Sequence, residues 1–224
     1  LAEIKAKSKL YFGEIPRGAD VAKVKAERPV MTEAKRITLE DQVTLPRLYM
    51  VWPTPALFEE GDAELDILSS VLTGGLTSRL YKRLVYDNQI AQRVNAYQGS
   101  SELSSLYYID VLAAPGHTLE ESETIIDEEL DALRKEAPSD EEVQRAKNGW
   151  ESSFIFGLES VGRKAGTLCS YRNIAGDPGY IQKDLDRYLS VTPDAVSEVV
   201  NPYLNPNGRL LLHVVPEASA GGEK

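Results

Sequence analysis

The two histidines, His117 and His213, are the first residues to test for metal chemistry in this sequence. A protein zinc site needs His, Cys, Asp or Glu side chains in a cluster. Thr118 and Glu121, just after His117, form the spacing of a helix capping box, which explains both residues without a metal. His213 lies in an apolar run, so we expect a histidine packed in the core or at its edge. We assign no metal ligand.

Nucleophilic catalysis needs a serine or cysteine beside an oriented base. Cys169 lies in a helical pattern between Leu168 and Ser170, so we expect it to be a small buried apolar side chain. The sequence contains no GxSxG motif, which marks the nucleophile of many hydrolases. We therefore assign no catalytic residue.

Residues 73–78, Thr-Gly-Gly-Leu-Thr-Ser, are glycine-rich and precede a helical pattern. Free N–H groups at the start of a helix can receive an anion or a backbone carbonyl. The run lacks the lysine of a phosphate-binding loop. A simple turn between two helices, closed by Gly74 and Gly75, is the alternative interpretation.

Carboxylates are grouped at residues 59–64, 120–123 and 140–142. Each group falls in the first turn of an expected helix, where negative charge complements the helix dipole. Ser139 and Glu142 also have the spacing of a capping box, which predicts the start of a helix. We assign these groups no catalytic part.

The composition limits the classes of partner. The chain has 224 residues and a formal net charge of −10, which argues against nucleic acid because phosphate neutralisation needs a basic face. No apolar run is long enough to span a bilayer. The single cysteine excludes an internal disulfide and leaves the compartment undecided, so periplasmic and cytoplasmic locations in a bacterium both stay open.

The expected elements follow an α+β order. Strands are expected at residues 47–52, 90–98, 105–114 and 209–215, and helices at 1–12, 59–73, 78–85 and through most of 118–203. Residues 20–35 have the composition of a linker. Apolar residues on both faces of 47–52 indicate a central strand covered on both sides. Helices layered on a sheet are the expected architecture.

The run from Leu72 to Tyr97 resembles the C-terminal half-domain of the pitrilysin/insulinase-like zinc metallopeptidases. The shared features are the Gly74-Gly75 turn, the following Thr-Ser-Arg-Leu-Tyr at 77–81, and Ile90-Ala91 entering a strand. Residues 9–16, KLYFGEIP, resemble the end of the family's preceding, zinc-bearing half. Residues 138–147 and 188–203 resemble later segments of the family.

The resemblance implies a metallohydrolase-like half-domain with helices packed on a layered sheet. We expect the end of the preceding half and a linker at 1–28, the C-terminal half-domain at 29–216, and a disordered tail at 217–224. Two homologous halves would enclose a chamber, and the other half or subunit would bind zinc through an HxxEH motif, whose Glu is the general base. No zinc is expected in this segment.

Many members of the family also supply an Arg and a Tyr, seven residues apart, that polarise the scissile carbonyl. The matching residues here are Val85 and Gln92. Gln92 can donate a hydrogen bond, whereas the side chain of Val85 cannot; Arg83 and Arg93 are out of register. The expected substrate-binding residues are Gly74, Gly75, Ser78 and Gln92.

The sequence thus predicts the non-catalytic half of a bacterial-type zinc metallopeptidase, which would enclose the chamber and position a peptide for the zinc-bearing half. The alternative is a structural or docking subunit on the same fold, without proteolytic activity. A third reading is an independent hydrolase that uses Cys169 or His117.

Overall fold

The computed structural model describes residues 1–22, 24 and 26–217. The bounds of the elements, in chain order, are α1 Ala2–Phe12, β1 Lys35–Asp41, β2 Arg47–Thr54, α2 Asp62–Thr73, α3 Arg79–Tyr81, a π-helix Lys82–Asp87, β3 Ala91–Gly99, β4 Ser105–Ala113, α4 Leu119–Lys135, α5 Asp140–Gly157, α6 Val161–Ile174, α7 Ile181–Leu189, α8 Pro193–Glu198, α9 Val200–Tyr203 and β5 Leu210–Pro216.

The strands form a five-stranded sheet in the order β1-β5-β2-β4-β3. β5 is parallel to β1 and antiparallel to β2, while the β2-β4 and β4-β3 pairs are antiparallel. The last strand of the chain therefore lies inside the sheet, as its apolar sequence predicts. The mixed sheet with helices packed on it confirms the α+β fold class.

β2 divides its side chains between a covered and an uncovered face. Leu48, Met50 and Trp52 are fully buried under the helices, whereas Tyr49 and Val51 on the opposite face are half-buried. The expectation that both faces of this strand are covered was therefore wrong for the face that carries Tyr49 and Val51. We call the side that carries Tyr49 and Val51 the open face of the sheet.

β2 also continues one residue past Pro53, where the sequence predicts its end. Its pairing with β5 stops at Val51, so Pro53 contacts a neighbouring strand only on the β4 side. The missing N–H of proline therefore breaks no bond of the β5 ladder.

The two longest helices begin as their sequences predict. Thr118 and Glu121 form a complete capping box at the start of α4, and Ser139 and Glu142 form another at the start of α5. α4 buries Ile126, Leu130 and Leu133 against the sheet, and α5 buries Val143 and Ala146. α4 and α2 cover the face of the sheet opposite to the open face, and α5 packs on α2 and α7.

β1 was not predicted from the sequence. Its residues, KRITLED, are mostly polar, and all seven are exposed. The strand exists because Lys35–Asp41 pairs along its whole length with β5, which lies 175 residues later in the chain. A local pattern cannot reveal a pairing of that kind.

The described residues before Arg28 make little contact with the rest of the chain. Every residue of α1 is exposed, including Ile4, Leu10 and Phe12. Among the residues that the structure describes, Arg28 is the first anchor, since its guanidinium donates to Pro53 O at 3.2 Å and lies over the ring of Tyr203.

The predicted disordered tail lies outside the described residues, apart from Glu217. Across the described ranges, none of the helices has the length and apolar character needed to cross a bilayer.

Candidate functional site

The Gly74-Gly75 turn closes α2 and starts the next helix. Gly74 N–H donates to Ser70 O, and Gly75 has φ = 142°, a conformation that favours glycine. The hydroxyl of Ser78 donates to Gly75 O at 2.6 Å, and Ser78 itself is buried. The predicted binding residue Ser78 thus uses its side chain to close the turn.

A small cavity lies beside this turn. Its volume is about 70 Å³, and its lining includes Gly74, Thr77, Ser78, Glu142 and Arg145. A cavity of this size holds a few water molecules and is too small for a large side chain of a peptide. A peptide near the turn would have to bind on its outer surface.

Arg79, the residue after Ser78, connects the turn to two helices. Its guanidinium makes a bidentate pair with Glu142, at 2.7 and 3.0 Å, and a third contact with Glu129 at 3.3 Å. The Glu142 carboxylate therefore holds Arg79 while it also caps α5. The sequence predicts the place of Glu142 at the start of a helix but does not predict its ion pair with Arg79, because the two residues are 63 positions apart.

These charges also change the proton affinities of both groups. The hydrogen bonds and charge of Arg79 lower the pKa of Glu142 to about 2, with help from the Ser139 N–H. The same pairing raises the pKa of Arg79. Both groups are therefore charged across the physiological range.

The segment after Arg79 changes from an α-helix to a π-helix at Lys82. Val85 lies in this π-helix and packs against the core. Arg83 points to α4, where it pairs with Glu128 at 2.6 Å and Glu129 at 3.3 Å. Arg83 therefore has carboxylate partners within this chain. π-Helices of one turn occur frequently at functional sites.

Gln92 lies in a β-bulge at the beginning of β3. Ala91 pairs with Ala113 and Arg93 pairs with Leu112, so Gln92 is the extra residue on the β3 side. Its side chain is exposed and makes no hydrogen bond with the described residues. Of the four predicted binding residues, Gln92 has a side chain free to bind a ligand.

The glycine turn and β3 belong to one local unit. The hydroxyl of Thr73, the last residue of α2, accepts from Ala96 N–H at 2.9 Å and contacts Ala96 O at 3.4 Å. At the other end, Ile90 N–H donates to Leu84 O. The turn, the π-helix and the bulged strand are therefore fixed relative to each other.

The two histidines occupy separate places. His117 contacts Glu121 of its own capping box, and His213 lies buried beside Arg36 and Glu123. Within the part of the chain that the structure describes, no group of three or more His, Cys, Asp or Glu side chains is arranged to hold a metal ion. The residues present here therefore do not fit a zinc site.

Cys169 is exposed on α6, so the expectation that it is buried was wrong. The residues of α6 near Cys169 include glycine and polar residues. Tyr171 is the buried residue of this helix. The shallow cavity beside Cys169 is lined by Leu168, Arg172, Asn173, Gly176 and Pro178. None of these side chains can act as the general base of a cysteine hydrolase.

Comparison with known proteins supports one family. Residues 1–149 match the family described as the peptidase M16 inactive domain. An uncharacterised zinc protease of Streptomyces coelicolor is 25% identical over 181 residues, which cover 80% of this chain and 39% of that protein. This chain thus spans about two fifths of the length of that curated relative.

Solved structures share the fold at lower identity. A protease from Helicobacter pylori aligns with a TM-score of 0.85 and 20% identity, over 96% of this chain and 52% of that one. A peptidase M16 inactive domain from Pseudomonas fluorescens aligns with a TM-score of 0.78 and 17% identity, over 98% of this chain and 52% of that one. The match of residues 1–149, two thirds of the sequence, places this chain in the peptidase M16 family as its inactive C-terminal domain.

Proposed function

We propose that this chain is the half of a zinc metallopeptidase that closes the substrate chamber and holds the peptide, while a homologous half or subunit carries zinc and cleaves the bond. The observation that carries this proposal is the match to the inactive domain of a peptidase family. The greater length of the zinc protease from S. coelicolor supports it, since that protein has room for a second domain of this size.

The peptide would bind beside the glycine turn and the β3 bulge. Gly74 and Gly75 leave the outer surface of the turn uncovered by side chains, although their N–H groups are bonded to Ser70 O and Thr73 O. Gln92 offers an exposed amide that can donate to a peptide carbonyl. Ser78 would act indirectly, because its hydroxyl fixes the turn. A neutral donor such as the Gln92 amide suits a peptide backbone, which repeats carbonyl acceptors along its length.

We also propose a domain boundary at the first described anchor of the linker. Residues 1–28 would belong to the end of the preceding half and its connection, and residues 29–216 would form the half-domain. The contacts of Arg28 with Pro53 and Tyr203 support a boundary at this position.

The first experiment measures zinc content and peptide cleavage for this chain alone and together with a homologous half that carries HxxEH. We expect the chain alone to bind no stoichiometric zinc and to cleave no peptide, and the pair to cleave with one zinc per complex. One zinc per chain, with chelator-sensitive cleavage by this chain alone, would contradict the proposal. A stable pair with an intact HxxEH that cleaves none of a broad peptide panel would favour a structural or docking subunit.

The second experiment tests Gln92 in the active pair. If Gln92 holds the scissile carbonyl as charge develops on it, Gln92→Ala should lower kcat more than it raises KM. Gln182→Ala is the matched control, since Gln182 is exposed on α7 and bonds to Asp186. Unchanged kcat and KM in Gln92→Ala would remove Gln92 from the site.

A further inference from the structure

The open face of the sheet differs in charge from the rest of this acidic protein. The register of the strands places three basic residues, Lys35, Arg47 and Arg93, and two acidic residues, Asp41 and Asp110, on this face. The chain as a whole carries a formal net charge of −10. The open face is therefore a region where an anionic group meets local positive charge.

The bulge in β3 concentrates polar donors at one end of this face. Along a regular strand, neighbouring side chains point to opposite faces. Here Ala91 and Val94 are buried, while Gln92 and Arg93 between them are both exposed. The extra residue thus places two consecutive polar side chains on the open side of the sheet.

Arg93 is held near a carboxylate without using its hydrogen-bond donors. Its Nη2 lies 3.9 Å from Asp110 Oδ2, which is too long for a hydrogen bond. Asp110 is already bound by Arg47 at 2.8 Å and by Asn95 at 3.2 Å. The Arg93 side chain is 53% exposed, and none of the described residues accepts a hydrogen bond from it.

We propose that Gln92 and Arg93 form a recognition site for a carboxylate of the bound peptide. A guanidinium presents two parallel N–H donors that match the two oxygens of a carboxylate. The Gln92 amide has two N–H donors, so one can supply a third hydrogen bond to the carboxylate while the other donates to a peptide carbonyl. Tyr97, further along the same face and stacked on Tyr108 with the ring centroids 4.9 Å apart, offers an exposed aromatic surface for the next part of the peptide.

This inference rests on the proposed function, because it assigns a preference to the peptide that the half would hold. It adds Arg93 to the site and names the chemical class that Arg93 would select. The carboxylate can come from an Asp or Glu side chain or from the C-terminus of the peptide, and the geometry of the site is the same for both.

The test measures binding of three fluorescent peptides of equal length to the 224-residue protein by anisotropy at low salt. The first peptide has a central Glu and an amidated C-terminus, so its carboxylate is on a side chain. The second has Gln in place of Glu and a free C-terminal carboxylate. The third, neutral peptide has the central Gln and an amidated C-terminus. At least one of the two carboxylate peptides should bind about tenfold more tightly than the neutral peptide. The preference should weaken as salt is added.

Arg93→Gln should remove the preference for the carboxylate peptides and leave the neutral peptide nearly unchanged. Gln92→Ala should reduce the preference severalfold. Arg163→Gln is the control, since Arg163 is exposed on α6, away from the sheet. An unchanged unfolding midpoint would show that the variants fold, as expected for exposed side chains.

The outcomes separate the two proposals. If the unmodified protein binds none of the three peptides, peptide holding by this half is contradicted, and the carboxylate site with it. If it binds all three equally, or if Arg93→Gln retains the preference, the carboxylate site is overturned while peptide holding stands. A preference for the Glu peptide identifies a side-chain carboxylate, and a preference for the free C-terminus identifies a terminal one.

Discussion

Glu142 serves two structural purposes with one carboxylate. It accepts from the backbone of Ser139 at the start of α5 and receives both arms of Arg79 from the turn region. Removal of its charge would leave Arg79 with the weaker contact to Glu129. Residues with two such partners contribute more to stability than their degree of exposure suggests.

We expect Glu142→Gln to lower the free energy of unfolding by about 2 kcal/mol, because it weakens a cap and leaves a guanidinium poorly paired. Urea unfolding at pH 7 measures this loss. Glu141→Gln is the control, since the Glu141 side chain is 88% exposed and its contact with Arg145, at 3.4 Å, lies on the surface. Equal midpoints for the two variants would contradict the role of the pair.

The same residue predicts a loss of stability in acid. The pKa of Glu142 in the folded protein, about 2, lies below its ordinary value of 4.5. Its contribution is therefore present above pH 4.5 and is lost as the pH falls towards 2. Unfolding midpoints between pH 5 and 3 should fall less steeply in Glu142→Gln than in the unmodified protein.

Asp66 has the opposite pH dependence. Burial raises its pKa to about 6, despite the hydrogen bond that Tyr188 donates at 2.6 Å. The folded protein therefore binds this proton more tightly than the unfolded chain, whose group titrates near 3.8. The stabilisation by protonation is complete below pH 3.8 and is lost as the pH rises through 6.

Asp66→Asn should raise the free energy of unfolding at pH 8 by about 2 kcal/mol, since it removes a charge that burial disfavours and keeps an acceptor for Tyr188. The gain should shrink as the pH is lowered from 7 to 4, as measured by urea unfolding. Asp186→Asn, at an exposed position on α7, is the control and should change neither the free energy of unfolding at pH 8 nor its dependence on pH. A destabilised Asp66→Asn at pH 8 would show that the charge is needed.

At the scale of elements, the glycine turn depends on backbone conformation. Gly75→Ala should lower the free energy of unfolding by about 1 kcal/mol, because φ = 142° is strained for alanine although no atom blocks a Cβ there. Gly166→Ala, at an unobstructed position inside α6, should raise it by about 0.5–1 kcal/mol. Thermal unfolding of both variants tests the contrast; stabilisation by both would exclude strain at Gly75.

The elements show which parts of the structure a sequence can predict. The capping boxes at Thr118 and Ser139 and the apolar spacing of β4 are local signals, and these elements were predicted correctly. β1 and the bulge at Gln92 depend on partners far along the chain, so no local pattern marks them. The exposure of Cys169 was missed because a helical pattern does not show whether another element covers the helix.

The candidate site also contains features that the sequence predicts and features that depend on residues far along the chain. The glycine turn was predicted from the residue types and their spacing. The hydrogen bond from the Ser78 hydroxyl to Gly75 O was not predicted, because it depends on the conformation of the turn. The partners of Arg79 and Arg83 are carboxylates 45 to 63 residues away. Charge pairing over such separations cannot be read from one sequence, because many acidic residues offer equivalent partners.

At the scale of the whole molecule, we expect the exposed helix α1 to be separable from the domain. Deletion of residues 1–26 should leave the unfolding midpoint within about 1 °C, since every residue of α1 is exposed. Arg28→Ala should lower the midpoint by a few degrees, because it removes the contacts with Pro53 O and Tyr203. A large loss on deletion would show that α1 contributes to the domain.

The position of β5 sets the order in which the protein can be completed during synthesis. Residues 210–216 occupy the place between β1 and β2, so the two sides of the sheet cannot join until the C-terminal strand has left the ribosome. Until then β2 has an unpaired, apolar edge, and such edges favour aggregation. A stop codon before Leu210 would leave β2 without its β5 partner, and we expect the shortened chain to be bound by chaperones and degraded.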